Sequence, residues 1–94
     1  DIVALYSLGA GNRGVIRALE KTGKAGKIPV AAHELTEHTR TALQNGIFDA
    51  VINQDPGHEA RSAVRVLKAL VDGRPFLNAQ ERIRIDIFMR DNLP

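Results

Sequence analysis

Three short apolar runs in this chain each end in polar side chains. IVALY (2–6) leads into Ser7, IPVAA (28–32) into His33 and Glu34, and FDAVI (48–52) into Asn53, Gln54 and Asp55. Hydroxyl and amide groups both donate and accept hydrogen bonds, and a carboxylate accepts from two neighbouring hydroxyls. That inventory suits recognition of a small polyhydroxylated molecule. Ser7, His33 and Asp55 also have the residue types of a nucleophilic triad. No nucleophile-elbow sequence surrounds Ser7, which argues against acyl-transfer chemistry.

Two further patterns invite a cofactor or a metal. Gly9, Gly11 and Gly14 spell G-x-G-x-x-G, and Glu34 lies 20 residues beyond Gly14. A dinucleotide fingerprint has this order, with a ribose-binding acid at that distance. Polar Ser7 interrupts the apolar approach to those glycines, and Gln54-Asp55-Pro56 has no place in that scheme. HELTEH (33–38) approaches the zinc motif H-E-x-x-H, but the second histidine would have to stand at position 37, which is Glu37. His38 and His58 fit surface positions near helix starts. Neither a cofactor nor a metal is assigned.

The elements that must position these residues alternate. IVALY is too short and too apolar for a surface helix and reads as a strand. Asn12 to Thr22 turns helical, with Val15, Ile16 and Leu19 on one face and Gly23 and Gly26 as stop signals. IPVAA is a second strand, with Pro29 at its start or on an edge because proline gives no ladder hydrogen bond. Thr36 is a candidate N-cap for a helix running to Asn45 and closed by Gly46, with a thin apolar face of Ala42 and Leu43. FDAVIN (48–53) is a third strand, broken by Pro56-Gly57. Ala60, Ala63, Val64, Leu67, Leu70 and Val71 then make one helical stripe that ends at Gly73. After the Arg74-Pro75 turn, Ile83, Ile85, Ile87 and Met89 alternate with Arg84, Asp86, Phe88 and Arg90, as in a half-exposed strand. The order βαβαβαβ predicts an α/β fold: a mostly parallel sheet flanked by helices, with right-handed crossovers. In such sheets ligands sit beyond the carboxyl ends of the strands, where Ser7, Glu34 and Gln54 fall.

Composition narrows the class. The 94 residues are 44% apolar and 26% charged, which suits one small globular domain. Net charge is only +2, and Arg13, Arg17, Lys21, Lys24 and Lys27 are spaced as on a solvated face. A nucleic-acid stripe is therefore not expected from this segment. The absence of cysteine excludes disulfides and thiolate chemistry and fits a reducing compartment. No apolar run is long enough to span a membrane. The chain opens on Asp1, without Met or a signal peptide, so it reads as part of something longer.

Four stretches together resemble a known family: DIVALYSLGAGNRGVIRALEKTGKAG, VAAHELT, FDAVINQDPGHEARSAVRVLKALVDGRP and the ending IFMRDNLP. They are similar to the C-terminal part of the effector-binding domain of lactose-repressor-type (LacI-type) bacterial transcription regulators. That domain is similar in turn to periplasmic sugar-binding proteins. The resemblance implies a periplasmic-binding-protein type I fold of two lobes, with a sugar or polyol bound in the interlobe cleft and no enzymatic activity. It assigns ligand contacts to Ser7, Glu34 and Gln54, with Asn12, His33 and Asp55 as second choices. It divides the chain into a ligand lobe (1–55), a helix packing on the other lobe (56–73), and a hinge with the final strand (74–94). It implies a cytoplasmic protein that reaches DNA only through an N-terminal helix-turn-helix absent from this sequence. A homodimer is expected, domain-swapped if this segment hides the stripe of 60–71 by exchange. A transporter's periplasmic sugar-binding protein and an NAD-binding dehydrogenase fragment are the alternatives.

Overall fold

The computed structural model describes residues 2–94. Its elements, in chain order, are β1 (Leu5–Ser7), α1 (Asn12–Lys21), β2 (Val30–His33), α2 (Glu37–Gln44), β3 (Ala50–Gln54), α3 (Pro56–Asp72), α4 (Asn78–Glu81) and β4 (Ile85–Phe88), followed by a 3-10 turn at Arg90–Asn92. The α/β alternation read from the sequence is present, and the strands lie in the order β1-β2-β3-β4. β1 and β2 are parallel, as are β2 and β3. Sequential neighbours joined by right-handed crossovers place α1 and α2 on the same side of the sheet.

The chain divides into two compact units. The first holds the residues up to Asn53 together with Asp86–Pro94, and the second is Gln54–Ile85.

In the first unit the pleat sorts the strand residues by face. Register pairs Leu5 with Val30, Ser7 with Ala32, and Ala32 with Val51, so these five share one face. Val30, Ala32 and Val51 are buried there with Leu19 of α1, Ala42 and Leu43 of α2, and Phe48. The thin Ala42-Leu43 stripe of α2 thus suffices. The opposite face carries Tyr6, Ala31, His33 and Ile52, which are exposed or half-buried.

Local signals explain the element ends. Thr36 caps α2, accepting from the Thr39 N–H at 3.2 Å, and Gly46 at φ 77 follows the helix in the left-handed conformation. Pro29 stands just before β2, and its carbonyl accepts from the Leu5 N–H at 2.9 Å. The terminal sequence works as a latch. The Asn92 amide accepts from the Met89 N–H at 2.6 Å and donates to the Ile87 carbonyl at 3.0 Å. Leu93 packs against the core, and the Arg40 guanidinium donates to the Pro94 carbonyl.

The final strand corrects the alternation argument. Ile85, Ile87 and Met89 are more than half exposed, and Phe88 is the residue packed against the core. One large aromatic ring on the core side outweighs the count of apolar residues on the other.

In the second unit, α3 begins at Pro56 with Asp55 as its cap and ends at Gly73 in the left-handed conformation. Asp55 Oδ1 accepts from the N–H groups of Gly57 (3.0 Å) and His58 (3.2 Å). The short α4 was not legible in the sequence. It is tied to α3 by the Arg65–Glu81 ion pair at 2.9 Å and by a 3.0 Å bond between His58 Nε2 and the Gln80 carbonyl. The stripe expected to face another surface is open. Val64, Leu67, Leu70 and Val71 are each more than 60% exposed.

Candidate ligand-binding site

β1 ends on Ser7 and β2 on His33, with Glu34 immediately beyond. These positions and the first residue of α1 form one connected cluster. The Ser7 hydroxyl donates to Asn12 Oδ1 at 2.8 Å. The Asn12 amide donates to the His33 carbonyl at 3.0 Å. Asn12 is 8% exposed and bridges β1, α1 and β2. Its side chain braces the sheet end and is not presented as a free contact. On the other face of the sheet the Tyr6 hydroxyl is hydrogen-bonded to His33 Nε2, with ring centroids 5.3 Å apart.

Glu34 has the most unusual backbone of the cluster. Its φ is 70°, a positive value that no other non-glycine residue among those described adopts. A bulky residue in that region is uncommon. Its flanking peptides are fixed on three sides. The Glu34 N–H donates to the Ile52 carbonyl at 2.8 Å, and the Glu34 carbonyl accepts from Thr39 Oγ1 at 2.7 Å. The Leu35 N–H donates to Asn53 Oδ1 at 2.9 Å. The Glu34 residue itself is exposed at the carboxyl end of the sheet.

The remaining candidates belong to the second unit. Gln54 closes β3 and is exposed, and Asp55 spends Oδ1 on the cap of α3. Within the first unit, the Ser7–His33 pairing that a triad would need does not form. Ser7 donates to Asn12, and His33 Nε2 is engaged by Tyr6.

The glycine turn departs from the dinucleotide fingerprint. Gly11 has φ −86°, and a Cβ placed on Gly9, Gly11 or Gly14 meets nothing within 4 Å. In the fingerprint the third glycine lets helix and strand pack closely; here that space is open. Among the described residues no group of three His, Asp or Glu is placed to hold a metal ion.

Sequence reasoning missed Thr39 and Asn53. Thr39 sits at the third position of α2, where a capping box ordinarily has Glu or Gln. Here the Thr39 hydroxyl accepts from the Thr36 N–H at 2.8 Å. A hydroxyl residue three places after an N-cap threonine was the available signal.

Comparison with known proteins gives this geometry a context. A search of curated proteins found no match. Among solved structures, GanP, a glucose-galactose binding protein from Geobacillus stearothermophilus, superposes with a TM-score of 0.86 at 22% identity, over 100% of this chain and 34% of that one. A carbohydrate transporter solute binding protein from Agrobacterium radiobacter, in complex with D-arabinose, gives 0.79 at 18% identity, over 97% and 31%. A protein described as a LacI transcriptional regulator, from Bacteroides fragilis, gives 0.72 at 17% identity, over 95% and 31%. The chain thus spans about a third of the length of these structures. At such identities they establish the fold. The family model for the periplasmic binding protein domain matches residues 1–75, most of the sequence. The chain belongs to the periplasmic binding protein domain family.

Proposed function

We propose that this chain supplies one side of a sugar- or polyol-binding site in a binding protein that catalyses no reaction. The observation that carries this reading is Glu34, a carboxylate residue held in a rare backbone conformation just beyond a parallel strand. A carboxylate accepts paired hydrogen bonds from neighbouring hydroxyls, as vicinal diols present them. Ser7 adds a hydroxyl at the end of β1, and the third contact in this reading is Gln54, an exposed amide that closes β3. His33 remains a second choice. Asn12 and Asp55 are second choices as well, and both also carry structural bonds.

Solved relatives of the same fold support a carbohydrate ligand. One is named for glucose and galactose, another holds D-arabinose, and a third, from Agrobacterium vitis, is bound with α-D-tagatopyranose. Two of these are solute binding proteins of transporters, and a transporter's binding component is the preferred setting.

A second setting, the effector domain of a LacI-type regulator, is favoured by the IFMRDNLP ending and by the Bacteroides fragilis neighbour. There ligand would bias two DNA-binding states through its differential affinity for them. The whole protein distinguishes the settings: a secretion leader supports the first, a helix-turn-helix the second.

The test of binding is a thermal-shift panel on the whole protein with D-glucose, D-galactose, D-arabinose and D-tagatose. A ligand at a hundred times its Kd stabilises by about 2.7 kcal/mol, a readily measured shift. No shift with any of the four would count against the proposal.

A further inference from the structure

We propose that Thr39 and Asn53 are positioning residues, which hold Glu34 in a left-handed backbone so that its carboxylate stands at the ligand site. The purpose assigned to this clamp rests on the sugar-binding reading; the clamp itself rests on geometry alone.

Glu34 gains no intrinsic stability at φ 70°. A non-glycine residue in this region is strained, and such residues persist where their surroundings over-determine them. The surroundings here do so from two elements. From α2, Thr39 Oγ1 donates to the Glu34 carbonyl at 2.7 Å. From β3, Asn53 Oδ1 accepts from the Leu35 N–H at 2.9 Å, and the Ile52 carbonyl accepts from the Glu34 N–H at 2.8 Å. Both peptides that flank the Glu34 Cα are thereby fixed. Thr39 is wholly buried, and its hydroxyl also takes the Thr36 N–H at 2.8 Å. One hydroxyl therefore couples the start of α2 to the conformation of residue 34.

Glycine would occupy this φ without strain. The fold places a glycine at each of its other described left-handed positions: Gly23, Gly26, Gly46 and Gly73. Among the described residues only residue 34 carries a side chain there, and that side chain is an exposed carboxylate at the carboxyl end of the sheet. Strain retained at such a position is the signature of a residue kept for what it contacts.

The experiment compares Thr39→Val, Asn53→Ala and Thr39→Ser in the whole protein. NMR backbone shifts and the strength of the intraresidue HN–Hα NOE report the sign of φ at residue 34. Thr39→Val and Asn53→Ala are each expected to move residue 34 to negative φ while the rest of the fold persists. Each should also weaken the sugar of the panel that binds wild type by about tenfold, the scale of one lost hydrogen bond. Thr39→Ser keeps the hydroxyl and should restore both readouts. Glu34→Gly should raise the melting temperature while weakening sugar binding by about ten- to a hundredfold. Retention of positive φ in both Thr39→Val and Asn53→Ala would overturn the clamp, as would failure of Thr39→Ser to restore it. If Thr39→Val does not fold, Asn53→Ala, at a half-buried site, decides alone. If wild type binds none of the sugars, the ligand reading falls, and the sign of φ still decides the clamp.

Discussion

Asn12 shows how a polar residue near a ligand site can be committed to the scaffold. Its amide takes the Ser7 hydroxyl on one side and gives to the His33 carbonyl on the other, at 8% exposure. Removing it leaves both partners without a bond. Asn12→Ala is expected to destabilise the chain by about 1–3 kcal/mol, the cost of stranding buried polar groups. Chemical denaturation measures this, and an unchanged midpoint would refute the brace. The sequence placed Ser7, His33 and Glu34 correctly at the strand ends, because apolar runs of strand length stop there. It could not show that Asn12 is occupied, since that depends on a carbonyl 21 residues away. Nor could it show the φ of Glu34, which is imposed by Thr39 and Asn53 from two other elements.

The helices were the most legible elements, because their caps and stripes are local. Thr36 announces α2 and the stripe from Ala60 to Val71 announces α3, while Asp55, read from the sequence as a ligand contact, caps α3 by accepting from two backbone N–H groups through Oδ1. Asp55→Ala should therefore cost about 1 kcal/mol, read as a fall in thermal stability. The same helix supports a contrasting prediction. Leu67 and Leu70 are 63% and 64% exposed. A double change, Leu67→Gln with Leu70→Gln, should leave the stability of the chain, diluted until it is monomeric, within about 0.5 kcal/mol of wild type, as surface substitutions do. A loss of several kcal/mol would mean that the stripe is buried within the monomer. α4 has 4 residues, about one helical turn, too short for periodicity to reveal. β4 was legible as a strand but its core face was not, since alternation gives two faces without saying which one meets the core. Phe88 decides that, through packing against residues distant in sequence.

The whole chain leaves apolar surface uncovered. Parallel sheets are ordinarily covered on both faces. Here α1 and α2 lie on one, while Tyr6 and Ile87 are each 56% exposed. The solved relatives are about three times as long as this chain. Studied alone, this segment is expected to self-associate through its open apolar surfaces. Light scattering showing a well-folded monomer at high concentration would rule that out. The central claim concerns the site: Glu34 is a ligand contact in a sugar-binding protein. Isothermal titration of the whole protein against D-glucose, D-galactose, D-arabinose and D-tagatose, repeated with Glu34→Ala, tests it most directly. Wild type is expected to bind at least one sugar saturably, and Glu34→Ala to bind it more weakly by about 1.5–3 kcal/mol, the scale for a hydrogen bond to a charged group. Equal affinity in the two proteins, or no saturable binding by wild type, would contradict it.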